Sequence, residues 1–209
     1  MAKTSGTTRG KKSDGGLRVG DEQYKGKVGR VESLSTIRNK KVYDEVMSAI
    51  SRTHSVLGIS QKKVKLADLE DGVGGVHVTR NGASEGVYLN KSIFQPAEAT
   101  TQSVASWSKT GYDSGHLTAT NKPVAHIVTH EMSHSIWNEH MTDQRSQTAG
   151  KDIKQLYKQW TKDKKKQGYG KYASTNVSEF FAEVATKAVH GRRDKYTDKL
   201  KEIIRRHRL

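Results

Sequence analysis

Residues 124–138 read Val-Ala-His-Ile-Val-Thr-His-Glu-Met-Ser-His-Ser-Ile-Trp-Asn, with His126, His130 and His134 recurring every fourth residue. On an α-helix, positions four apart differ by about 40° in azimuth and one turn in height, so two such imidazoles can converge on one ion. His130-Glu131-Met132-Ser133-His134 fits the H-E-x-x-H pattern, in which Glu131 sits beside the first ligand and reaches a metal-bound water without itself ligating. A chain with this content of His and Glu produces roughly 0.02 such matches by chance. Pro123 suits a first helical position, with Asn121 or Lys122 before it as the cap. The alternative reading is an amphipathic helix that is merely rich in histidine.

A catalytic zinc site takes three protein ligands and keeps a fourth position open for water. The chain has no cysteine, which leaves His, Asp and Glu as the donors and excludes disulfides and thiolate clusters. The third ligand is expected from a second helix, and Tyr-Ala-Ser-Thr-Asn-Val-Ser-Glu-Phe-Phe-Ala-Glu, residues 172–183, offers Glu179 with Glu183 one turn further on. A competing reading makes Asn176 and Glu179 a capping box, with Glu179 a helix-end carboxylate and nothing more. A capping side chain turns back to its own backbone, so the two roles are expected to exclude one another.

The pairing of His-Glu-Met-Ser-His with residues 172–183 resembles the gluzincin metallopeptidases, in particular the family of the anthrax toxin lethal factor catalytic domain and related phage- and toxin-associated enzymes. The resemblance covers roughly residues 120–190 and is silent on substrate choice. It implies an α+β, zincin-like domain whose small mixed or antiparallel sheet packs on the metal-binding helices. It also implies one zinc per chain on His130, His134 and Glu179, with Glu131 as general base. Tyr172, seven residues before Glu179, is implied as the group that stabilises the oxyanion. The expected function is zinc-dependent hydrolysis of peptide bonds in a protein or peptide substrate.

Other residues near the motif are weighed against plainer roles. Glu183 is a candidate for orienting a ligand imidazole through its other ring nitrogen, against an exposed pairing with Lys187 at i+4. His126 shares the ligand face, but three successive turns do not reach one ion; it is read as a supporting contact or as a partly exposed helix histidine. Trp137 is read as core, and His77 and His116 as ordinary strand or loop residues.

Working outward, residues 1–28 carry almost no apolar side chains and read as a disordered basic leader, followed by one domain over 29–209. Leu34, Ile37, Val42, Val46, Met47 and Ile50 recur at helical steps, placing a helix to about Arg52. Short β-branched runs follow at Val64–Leu66, Gly75–Thr79 and Val87–Asn90 with Ile93-Phe94. Asn81-Gly82 between the second and third suits a hairpin. Strands are also expected at Ser103–Trp107 and His116–Thr120, and Val87 to Phe94 is a candidate sheet edge for an extended peptide. Helices are expected at Asp152–Gln167, Asn176–His190 (closed by Gly191) and Asp194–Arg206.

The formal charge is +15. Residues 1–30 hold 8 basic and 3 acidic side chains, residues 151–172 hold 8 and 2, and residues 192–209 hold 8 and 3. The excess therefore lies in a leader, a linker-like stretch and a tail, which suits non-specific polyanion binding through leader and tail. There is no transmembrane run and no secretory signal, so the expectation is a soluble protein, cytoplasmic by default, or one delivered with a larger machine or virion. Two alternatives remain at this level: a non-catalytic basic structural or polyanion-binding protein that retains a zincin fold, and a zinc hydrolase acting on a non-peptide amide.

Overall fold

The structure is a computed structural model. It describes residues 27–58, 63–80, 83–115, 118, 120–141, 147–163, 168–190 and 193–207. The expectations for the leader up to residue 26, for Asn81-Gly82, for His116 and for Gly191 lie outside these residues.

The fold is mixed α and β, with one four-stranded sheet. Strand β1 (Val31–Glu32) is followed by a 3-10 turn, and then by helix α1 (Lys40–Leu57). Asn39 starts α1 by accepting hydrogen bonds from the amides of Lys41 and Val42, and Gly58 ends it in the left-handed region at φ 68°. Leu34 and Ile37, expected inside that helix, precede it, because the Asn39 cap resets the start.

Strands β2 (Val64–Ala67), β3 (Gly75–Arg80) and β4 (Ala83–Asn90) follow. The sheet order is β1-β2-β4-β3, with β2 parallel to β4 and the other pairs antiparallel. Arg80 and Ala83 are partners at the end of the β3–β4 register. Strand β4 lies inside the sheet, which corrects the expectation that Val87 onward forms an edge. The edge beside the histidine helix is β3.

Ile93 and Phe94 do not extend the strand. Asn90 accepts from the Ser92 amide at 3.1 Å and starts the one-turn helix α2 (Lys91–Phe94). Ser103–Trp107 is not a strand but part of helix α3 (Thr101–Asp113). Thr100 and Ser103 cap reciprocally: the Thr100 amide donates to Ser103 Oγ at 2.8 Å, and the Ser103 amide to Thr100 Oγ1 at 3.0 Å. That local closure outweighs the β-branched content of the segment. Thr118 and Thr120 are not in a strand either.

Helix α4 (Pro123–Ile136) begins after Lys122 and runs on as a π-helical turn, Trp137–Met141. Helix α5 (Gln147–Lys162) forms where a helix is expected from Asp152, and starts earlier. Its Ile153, Leu156 and Trp160 are buried, so the charged stretch from Lys151 is the outer side of a packed helix and not a linker. Helices α6 (Val177–Val189) and α7 (Lys195–His207) complete the chain.

All fourteen residues of α4 are buried, because the two larger apolar clusters both lean on it. Ile127, Val128 and Met132 join α1 and the sheet in one cluster. Ile136, Trp137 and Met141 join α5, α6 and α7 in the other, so the core assignment of Trp137 holds. A helix enclosed in this way must find partners for its polar side chains inside the protein. Among the described residues, no helix is long and apolar enough to cross a membrane.

Candidate metal centre

The side of α4 that carries His126, His130 and His134 faces α6, from which Glu179 and Glu183 point back one turn apart. Asn176 caps α6 by accepting from the Glu179 amide at 2.9 Å. The Glu179 carboxylate does not return the bond but turns to the histidines. Capping does not exclude approach to the histidines: the cap uses the Glu179 backbone amide, and its carboxylate reaches α4.

Three atoms meet between the helices. His130 Nε2 lies 3.1 Å from His134 Nε2 and 3.2 Å from Glu179 Oε2, and His134 Nε2 lies 3.3 Å from the same oxygen. Ligands about 2.0–2.1 Å from a tetrahedral zinc stand about 3.3 Å from one another. The near-equilateral triangle of two imidazole nitrogens and one carboxylate oxygen fits that ion. All three residues are at most 1% exposed.

The two edges of the His130 ring face the two carboxylates of α6. His130 Nδ1 lies 3.0 Å from Glu183 Oε1 and Nε2 lies 3.2 Å from Glu179 Oε2. Burial disfavours the charged ring, but Glu179 and Glu183 outweigh it and raise the His130 pKa to about 10. Burial likewise opposes ionised Glu183, yet His126 and His130 hold its pKa well below the usual carboxylate range. The pair of carboxylates makes this a place that requires positive charge, as a proton or as a metal.

His134 is held in the same manner, with Nδ1 3.0 Å from Ser178 Oγ. Sequence reasoning missed Ser178; its only signal is that it directly precedes Glu179 on a helix facing the motif. Glu183 is fully buried, and Lys187 pairs with Asp194 at 2.6 Å, so the exposed Glu183–Lys187 pairing does not form. His126 is buried, not partly exposed: its Nε2 is 3.5 Å from Glu183 Oε1, and its ring lies nearly parallel to that of His130 with centroids 6.0 Å apart.

Among the described residues, two groups bring three donor atoms close enough for a metal: His130, His134 and Glu179, and His126, His130 and Glu183. They share His130, which turns Nε2 toward the first group and Nδ1 toward the second.

Glu131 is fully buried and points to β3. Gly75 makes room for it, since a Cβ there would fall 2.8 Å from Glu131 Cγ. Gly75 is a second site residue that the sequence reading missed, because its role comes from a strand about fifty residues away. Tyr172 stands on a 3-10 turn, Lys171–Ser174, just before α6, with its ring centroid 6.0 Å from that of His130. His126, His130, His134, Tyr172, Glu179 and Glu183 are therefore gathered between α4 and α6, while the Glu131 side chain lies toward β3. His77 lies apart, buried on β3 and bonded to Ser84 Oγ at 2.9 Å.

No family model, curated protein or solved structure matches the chain.

Proposed function

We propose that this protein is a zinc-dependent endopeptidase with a zincin-like fold of the gluzincin type, holding one zinc per chain on His130, His134 and Glu179. The observation that carries the reading is the 3.1–3.3 Å triangle of donor atoms with Glu131 next to its first member. Charge supports it as well. Glu131, Glu179 and Glu183 are all within 1% of complete burial, and a divalent cation offsets two of their charges.

His130, His134 and Glu179 would hold the zinc, which would supply Lewis acidity and a lowered pKa for water. Glu131 accepts the proton of the attacking water and returns it to the leaving amine nitrogen. Tyr172 donates its phenolic hydrogen to the carbonyl oxygen as that oxygen gains charge. Glu183 and Ser178 keep the His130 and His134 rings aimed. An extended peptide suits the outer edge of β3, which pairs only with β4 among the described residues and passes Glu131 at Gly75.

The test is zinc per chain by elemental mass spectrometry, joined to cleavage of a degenerate peptide library. Wild type should hold about one zinc and Glu179→Ala close to none. Glu131→Gln should keep the zinc while turnover falls by roughly 10²–10⁴. Equal zinc in wild type and Glu179→Ala would overturn the ligand set; full turnover in Glu131→Gln would overturn the mechanism.

A further inference from the structure

Helix α5 carries Lys151, Lys154, Lys158 and Lys162, all exposed. At 100° per residue these four fall within an arc of about 80°, on the side opposite the buried Ile153, Leu156 and Trp160. They form the outermost ridge of the helix, about 16 Å long. Exposed Gln155 and Gln159 flank the ridge with neutral hydrogen-bond donors.

Some surface lysines elsewhere have acidic partners: Lys40 pairs with Asp44, Lys109 with Asp113, and Lys199 with Glu202. Others, such as Lys41, Lys65 and Lys201, have no ion pair among the described residues either, but they are not gathered on one helix face as the α5 lysines are. The carboxylates closest to the α5 ridge are engaged by other cations: Asp152 by Arg206 and His207, and Asp163 by Lys195. Among the described residues, none of the four ridge lysines has an ion-pair partner. Lys154, Lys158 and Lys162 instead follow one another at i, i+4, a like-charge spacing that destabilises a helix standing alone. An external polyanion would relieve this repulsion.

We propose that the outer ridge of α5 binds the phosphate backbone of duplex nucleic acid without reading its sequence. A ridge of 16 Å spans about five phosphates of one strand, at one per 3.4 Å. The ridge carries no aromatic or bidentate group for base edges, so contact is confined to the backbone. A membrane surface is the lesser fit. A helix that lies on lipid inserts its apolar face, whereas the apolar face of α5 is already spent in the core. The proposal is independent of the peptidase reading, because it uses none of the metal-site residues.

The experiment measures fluorescence anisotropy of a labelled 20-base-pair duplex of arbitrary sequence against full-length protein, across a salt series. The variants are Lys151→Gln/Lys154→Gln/Lys158→Gln/Lys162→Gln and a control, Lys40→Gln/Lys65→Gln/Lys109→Gln/Lys199→Gln, which removes equal charge elsewhere. The ridge variant should lower the slope of log K against log salt by about three to four, and weaken binding at least tenfold at moderate salt. Replacing the same four lysines with arginine should preserve binding, and circular dichroism should show that each variant is folded. An equal loss in ridge variant and control would assign binding to overall charge and overturn the proposal. So would unchanged binding by the ridge variant, or ridge-dependent binding to phosphatidylserine vesicles with none to the duplex.

Discussion

Helices α4 and α5 each carry one cationic residue type at helical spacing, and they put it to opposite use. His126, His130 and His134 are buried and meet the carboxylates of α6. Lys151, Lys154, Lys158 and Lys162 are exposed and meet none. Spacing alone does not separate these cases. What separates them is the residue type on the opposite side of each helix and whether a second helix brings acids to the stripe. Imidazole also tolerates burial because its neutral form is accessible near pH 7, which an ammonium group achieves only at great cost.

The comparison is broken most severely by removing a carboxylate from the buried stripe. Glu183→Ala removes the carboxylate oxygen 3.0 Å from His130 Nδ1, and zinc affinity should fall about 10- to 100-fold, read by chelator competition. Retained affinity would mean that Glu183 does not orient His130. Next is Gly75→Ala, which places a methyl group 2.8 Å from Glu131 Cγ. It should cost roughly 1–3 kcal/mol in urea unfolding and lower turnover while zinc is retained. Unchanged stability and activity would show that Glu131 has slack to move.

A subtler test contrasts two histidines. His130 has two acidic neighbours and its pKa rises to about 10; His190, dominated by burial, falls to about 4. A folded-state pKa below the unfolded value of about 6.5 means that the unfolded chain takes up the proton first. His190 therefore contributes its full stability above pH 6.5 and loses it as pH falls toward 4. Urea midpoints across that range should decline less steeply in His190→Gln than in wild type; parallel declines would refute the shift. The smallest effect belongs to the exposed stripe. Replacing its four lysines with glutamine should raise stability by a few tenths of a kcal/mol, as i, i+4 repulsion is removed. A loss of stability would mean that the lysines have intramolecular partners.

Much of this was legible in residue order because it is local. The H-E-x-x-H spacing, Pro123 at the start of α4 and Asn176 at the start of α6 are short-range signals, and so are the three main strands. The sheet order was not, since the parallel pairing of β2 with β4 bridges a hairpin and leaves no mark on either strand. The same limit hid Gly75 and Ser178, whose value depends on what lies across from them. Ser103–Trp107 was misread for another reason: its composition favours a strand, while the hydroxyls of Thr100 and Ser103 close a helix start. The helix from Asp152 is legible in residue order, because Ile153, Leu156 and Trp160 recur at helical steps, and that stripe fixes which side of the helix the lysines take.

The complete enclosure of α4 has a consequence for time as well as for energy. With every residue of the helix buried against its neighbours, His130, His134 and Glu179 come together only once α4 and α6 have packed. The donor triangle is therefore assembled with the core and not ahead of it, and an unfolded chain would offer an ion the same three side chains with none of their convergence.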